Sequence, residues 1–281
     1  MKDNRKVYRC SYGMLGVVTK SQSDSDTNVV ELGIQPYLFN KKYKFEIATQ
    51  CSEVEEFIEE VDEFIESDDF IVGDAVEITS NVDEMKSNYE KLITTCVKLR
   101  LLARGYSKDY PYEKITDNLI QWIKSTDFYD APASTRYHES YKHGLLIHTL
   151  NVYNNICDLW KLDKFHDVDI YSAALVALVH DWCKIGLYEV YQKNVKENGS
   201  WKQVDAFKRN SPSYPLGHGE TSMFLADRFC KLTPEEATAI RWHMGKWYCH
   251  DALDNDLQTA NETFPLVHML QFADQLSITN Y

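Results

Sequence analysis

The stretch Ala173-Ala174-Leu175-Val176-Ala177-Leu178-Val179 is apolar without a break and runs straight into His180-Asp181. A helix of that texture, read here from Tyr171 to Lys184, belongs at the centre of a helical core, and it carries two titratable groups in with it. Adjacent helical residues point about 100° apart, so both reach one ligand only near a helix end. Two other apolar segments carry side chains of the same kind. His148 lies in Gly144-Leu145-Leu146-Ile147-His148-Thr149-Leu150-Asn151-Val152-Tyr153, where Leu145, Val152 and the histidine fall near one buried stripe. Asp274 follows Leu266-Val267-His268-Met269-Leu270-Gln271-Phe272-Ala273. A carboxylate in so apolar a setting is costly unless it is paired or ligates a cation. Two imidazoles and two carboxylates suit a first-row divalent metal, with oxygen donors that fit Mn or Fe as well as Zn. Taken singly, each residue has a plainer reading: His148 as a core histidine, Asp274 as a helix cap or the partner of an arginine.

Around these segments the chain divides in texture. Residues 5 to 49 read as β-rich, with strands expected at Lys6–Tyr12, Asn28–Ile34 and Tyr43–Ile47, and a loop or hairpin tip at Ser21–Asp26. Residues 52–66 place Val54, Phe57, Ile58, Val61, Phe64 and Ile65 at helical spacing among Glu and Asp. The solvated outer face of a packed helix explains that pattern better than a docking surface for a basic partner. A further strand is expected over Phe70–Ile78, making residues 1–85 a small N-terminal α/β module. From Asn88 the pattern is helical almost to the end, including Leu145–Trp160, Thr221–Cys230 and Phe264–Ile278. Thr233-Pro234-Glu235-Glu236 carries a capping box with proline at the first helical position. The polar stretch Asn194–Pro215 reads as a long loop, a lid or a tolerated insertion.

Composition narrows the function classes. With 44% hydrophobic residues the chain has enough for a substantial core. No apolar run approaches a membrane span and no signal-peptide pattern leads the sequence. Seven cysteines without a Cys-x-x-Cys pair point away from a disulfide framework and toward a reducing, cytoplasmic setting. A formal charge of −13 argues against a broad electrostatic grip on nucleic acid. It leaves room for a nucleotide, because bound ions supply local positive charge.

Longer motifs surround the candidate ligands: Tyr141-Lys142-His143-Gly144-Leu145-Leu146-Ile147-His148-Thr149, His180-Asp181-Trp182-Cys183-Lys184, Leu216-Gly217-His218-Gly219-Glu220-Thr221-Ser222 and Arg241-Trp242-His243-Met244-Gly245. Together, over about residues 88 to 280, they resemble the HD-domain phosphohydrolase superfamily, and in particular a phage and bacterial branch of it. The resemblance implies a mainly α fold, an HD-type helical bundle over residues 86–281. It also implies a ligand set of His148, His180, Asp181 and Asp274 for one divalent ion. Asp181 would bridge to a second ion held also by His218 and His243, with Mn or Fe first and Mg, Ni, Co or Zn as alternatives. Asp181 and Lys184 would be catalytic, and Lys184, Arg136 and His138 would contact the substrate phosphate. Two departures stand out: His143-Gly144 where the family commonly has Gly-Gly, so that His143 can crowd or extend the pocket, and Ile147 where it often has Glu. His250-Asp251 reads as a loop, Cys183 as a packing residue, and Trp242, Trp247 and Tyr248 as packing aromatics before base-stacking ones.

The function implied is hydrolysis of a phosphomonoester or phosphodiester in a nucleotide-type substrate by metal-activated hydroxide. The first alternative is a 3′–5′ exonuclease on single-stranded RNA or DNA; the second is a nucleotide-binding regulator with an inactive site. Expected partners are a small nucleotide or short oligonucleotide, with no membrane, and a homo-oligomer is left open.

Overall fold

The computed structural model describes residues 72–104, 106, 110–197, 199–248 and 253–278, together with four N-terminal strand backbones. Those strands are β1 (Lys6–Cys10), β2 (Leu15–Asp24), β3 (Thr27–Leu32) and β4 (Phe45–Ile47), in one antiparallel sheet ordered β3-β2-β1-β4. Lys6 pairs with Val18 and Tyr8 with Ile47. The expected loop at Ser21–Asp26 is shorter than its composition suggests. Ser21 and Gln22 pair with Val30 and Val29, so a β-branched partner strand carries the polar residues into the ladder as far as Asp24. The acidic helix expected over 52–66 lies outside the described residues.

The body from residue 72 onward is mainly helical. Its α-helices are α1 (Val82–Ala103), α2 (Tyr112–Lys124), α3 (Gly144–Trp160), α4 (Ile170–Val179), α5 (His218–Cys230), α6 (Pro234–Trp242), α7 (Asp254–Thr263) and α8 (Pro265–Ile278). Helix α4 is apolar all round and lies in the middle, packed against α1, α3, α5, α6 and α8. Its start is fixed by Asp169, whose carboxylate accepts from the N–H of Tyr171 and of Ser172. Among the described residues no helix is long and apolar enough to cross a membrane. Cys96, Cys157, Cys183 and Cys230 are all free and buried.

Three expectations are corrected. Residues 72–80 form no strand, because side chains of α3 stand in for a neighbouring one. Gly73 N–H donates to Tyr153 Oη at 3.1 Å, and Asn154 both accepts from Val76 N–H and donates to Val76 O, each at 2.8 Å. Helix α1 begins six residues before Asn88, since Asn81 Oδ1 accepts from Glu84 N–H and caps it. The long loop at Asn194–Pro215 is in large part a β-hairpin, β5 (Tyr188–Glu197) and β6 (Ser200–Arg209), with Gly199 before β6 at φ 83°. Asn-Gly is the strongest short hairpin signal, and only the many polar residues on the strands concealed it.

The expected capping box at α6 is present and does more than end a helix. Thr233 Oγ1 accepts from Glu236 N–H, and Glu236 Oε2 accepts from Thr233 N–H at 2.7 Å. The same buried carboxylate accepts from both ends of the Arg100 guanidinium and from Ser172 Oγ, tying α1, α4 and α6 together. Burial pushes the Glu236 carboxyl up, but Arg100 outweighs it and holds the group below the ordinary range. This stabilisation is present above the carboxyl's unfolded pKa and is lost as the pH falls through the lowered folded value. Glu236→Ala leaves a buried guanidinium without its partner and is expected to cost about 3–5 kcal/mol in urea unfolding; a loss below about 1 kcal/mol contradicts a structural role for the pair.

Candidate metal centre

Two of the expected ligands sit where helices stop. Helix α4 ends at Val179, His180 is its C-cap, and Asp181 leaves helical geometry at φ −108°, ψ 18° before a 3-10 turn over Trp182–Lys184. The break answers the 100° problem: past the last helical residue, His180 and Asp181 turn into one space. Helix α6 ends at Trp242 and His243 is its C-cap. Final carbonyls of a helix lack intrahelical partners, and both histidines use their outer nitrogen to supply one. His180 Nδ1 donates to Ala177 O and His243 Nδ1 to Ile240 O, each at 2.7 Å. In mid-helix, His148 Nδ1 lies 3.1 Å from Ser277 Oγ, whose own proton goes to Asp274 O at 2.6 Å. The serine therefore accepts from the imidazole. In all three rings the Nδ1 proton is committed outward, and Nε2 is turned inward with its lone pair. Second partners of this kind fix the tautomer of metal-binding histidines.

The inward atoms form two groups on the two oxygens of Asp181. On Oδ2, His148 Nε2 lies at 3.2 Å and His180 Nε2 at 3.4 Å, while His148 Nε2 is 3.2 Å from Asp274 Oδ1 and 3.3 Å from His180 Nε2. On Oδ1, His218 Nε2 lies at 2.9 Å and His243 Nε2 at 3.8 Å. Ligands about 2.0–2.2 Å from a shared ion, at tetrahedral to octahedral angles, stand roughly 2.8–3.6 Å from one another. The first group meets that spacing on these four separations, although His180 Nε2 and Asp274 Oδ1 are 3.8 Å apart. Burial drives both carboxyls up, but Lys184 and His180 pull Asp181 far down, and His148 does the same for Asp274, so both are ionised.

A proton is the competitor of a metal here. Burial opposes charging His148, yet its hydrogen bonds to Asp181 and Asp274 raise it to about 9 in the absence of an ion. One N–H cannot point at Asp181, Asp274 and His180 together, because hydrogen bonds need near-linear geometry. A divalent ion with several open positions can. His243 gives a second sign: burial, with His180 and His218 nearby, lowers it to about 3, and its Nε2 is buried without a hydrogen-bond partner. An orphaned imidazole nitrogen aimed at a carboxylate is a free donor position for a cation. The buried His and Asp clusters can hold a metal ion.

Lys184 Nζ lies 2.6 Å from Asp181 Oδ2, buried, and held charged above its ordinary range: burial opposes this and Asp181 outweighs it. It lines a cavity of about 300 Å³ whose wall also includes Asp181, His218, Asp274, His138 and Ser134. Burial, then His148 and Lys184, lower His138 to about 4, which makes it a neutral hydrogen-bonding group. Arg136 is exposed and does not line the cavity. The wall includes Tyr188 and Arg209 instead, at the base of the hairpin; Arg209 falls in the segment expected to be a loop, and Tyr188 just before it. His143 does not crowd the pocket: its Nδ1 reaches Tyr129 O at 2.6 Å, and it sits at φ 70°, a left-handed position natural for glycine. Cys183 also does more than pack, with Sγ 3.1 Å from the outer nitrogen of His218. Trp242 is buried beneath the Arg241 guanidinium, away from the cavity wall. His250-Asp251 lies outside the described residues, as does the side chain of Tyr248.

No family model matches the chain, and no curated protein and no solved structure matches it either.

Gly144 sets the height of the segment over the site. A Cβ there would stand 2.0 Å from Glu139 O, the carbonyl that also accepts from Ala133 N–H. Gly144→Ala must displace backbone, with an expected cost of about 2–3 kcal/mol in chemical denaturation; a change below about 0.5 kcal/mol contradicts this close approach.

Proposed function

We propose that the protein is a metal-dependent phosphohydrolase of the HD-domain type, acting on a phosphomonoester or phosphodiester of a nucleotide-sized substrate. The observation that carries this reading is the division of donors between the two oxygens of Asp181, His148 and His180 with Asp274 on one side and His218 with His243 on the other. A carboxylate so placed suits a bridging ligand. When bound, two divalent ions there supply a hydroxide nucleophile near neutral pH and polarise a phosphoryl oxygen.

The rest of the work falls to side chains of the chain itself. The Lys184 ammonium, charged, buried and lining the cavity, would oppose the negative charge that develops on a phosphoryl group bound there. Asp181 holds Lys184 in place. Arg209 supplies the second cation of the wall, the part that sequence alone gave to Arg136. His138, neutral and with a buried Nε2 that lacks a partner, is suited to donate or accept one hydrogen bond from a substrate oxygen. The small cavity is at the lower end of ligand-binding volumes and suits one nucleotide.

The test is turnover of a panel of nucleoside monophosphates, cyclic nucleotides and bis-p-nitrophenyl phosphate with Mn²⁺, and with EDTA. Asp181→Ala is expected to lower kcat by about a thousandfold or more, roughly 4 kcal/mol of barrier, and Lys184→Ala by about a hundredfold. Wild-type turnover by Asp181→Ala, or full activity in EDTA, overturns the reading. Metal-indifferent nucleotide binding with no turnover of any panel member favours the regulator.

A further inference from the structure

The β5–β6 hairpin stands out from the helical body, with nearly all of its residues exposed. In an antiparallel pair, directly opposed residues share a face and successive pairs alternate. The register places Tyr188 opposite Arg209, Val190 opposite Phe207, Gln192 opposite Asp205, Asn194 opposite Gln203 and Lys196 opposite Trp201 on one face. Tyr188 and Arg209 line the cavity, so this front face begins at the candidate metal centre. From there it runs outward for roughly 26 Å at about 3.3 Å per residue.

Each face carries one cation more than it has acids, Lys193 being the surplus on the back. On the back, Glu189 pairs with Lys208 at 3.1 Å and Glu197 with Lys202 at 2.7 Å, so both acids are neutralised. On the front the one acid, Asp205, accepts a hydrogen bond from the Gln192 amide. Lys196 and Arg209 have no carboxylate partner among the described residues. Over the hairpin five cations face three acids, in a chain whose formal charge is −13. The front face also carries aromatic rings along its length: Tyr188 at the cavity, Phe207 half-buried, and Trp201 at the tip, 70% exposed. A cation and a ring at each end, with Phe207 and side-chain amides between them, suit an anionic chain of flat bases, since every base has a face to stack on.

We propose that this front face, Tyr188–Arg209 through Lys196–Trp201, is a track for the tail of a single-stranded oligonucleotide whose terminal nucleotide lies in the cavity. The inference rests on the phosphohydrolase reading for the cavity and names its substrate: a strand, of which one nucleotide fills the 300 Å³ and the rest follows the hairpin. A mononucleotide leaves the track empty. The back face is no part of it.

The experiment uses the full chain and two separate readouts. Binding of fluorescent ten-nucleotide oligo-dT and oligo-U is followed by anisotropy in EDTA, and turnover of bis-p-nitrophenyl phosphate is followed with Mn²⁺. Trp201→Ala and Lys196→Ala are expected to weaken strand binding about five- to tenfold, with small-substrate turnover within about twofold of wild type. Binding by the wild type should fall steeply between 50 and 200 mM salt. Tyr191→Ala and Lys193→Ala on the back face should leave both readouts within about twofold. Strand binding unchanged by the front-face substitutions, or weakened equally by the back-face ones, overturns the track. If Trp201→Ala changes the sedimentation coefficient and not strand binding, the face is a contact between copies and the track is again overturned. If strand binding depends on Trp201 and Lys196 while no member of the substrate panel is turned over, the track stands and the phosphohydrolase reading falls.

Discussion

Three imidazole nitrogens turned inward share a buried space with two ionised carboxylates, and positive charge, as a proton on a ring or as a bound cation, must balance them. His148, His180 and His243 have each committed the Nδ1 proton to an outer partner. Their Nε2 atoms meet Asp181 and Asp274 inside the bundle. The Lys184 ammonium on Asp181 offsets one negative charge. Without an ion a proton on His148 offsets the other, but one proton cannot serve His148, His180, Asp181 and Asp274 together or meet the orphaned His243 nitrogen, positions that a bound cation can fill. Around this requirement the rest of the body is built: an apolar central helix to exclude water, and neighbours close enough to bring five chain segments together.

The construction uses helix ends as tools. A helix that stops leaves carbonyls without partners, and a histidine at the C-cap turns that liability into orientation: it satisfies a carbonyl and aims its other nitrogen forward. Both α4 and α6 end this way. Elsewhere the scaffold is held by a second buried electrostatic knot, Arg100 with Glu236, placed near the start of α4, at the other end from His180, and joining α4 and α6 to α1. Rigid helices, pinned at one end by that knot, hold the donors at the other.

The central helix, its neighbours and the inward positions of His148, His180, Asp181 and Asp274 were legible in sequence because each follows from local hydrophobic pattern around a polar exception. The same is true of the Thr233–Glu236 cap, where four residues carry the whole signal. Ser277 was not legible as the partner of His148, since the pairing depends on how α3 packs on α8. The strand expected at 70–78 failed for a related reason: Tyr153 and Asn154, distant in sequence, take up the backbone groups that a sheet would have used. Arg136 looked like the phosphate contact because it precedes the first ligand, yet it points to solvent, and Arg209 reaches the cavity from a hairpin whose polar strands hide their alternation.

Anomalous diffraction from crystals grown with Mn²⁺ bears most directly on the divided carboxylate. The expected map holds one peak among His148, His180, Asp274 and Oδ2 of Asp181, and a second between Oδ1 of Asp181, His218 and His243. A map with no peak at either place, and with Lys184 still seated on Asp181 as the only cation in contact with it, would contradict the metal centre.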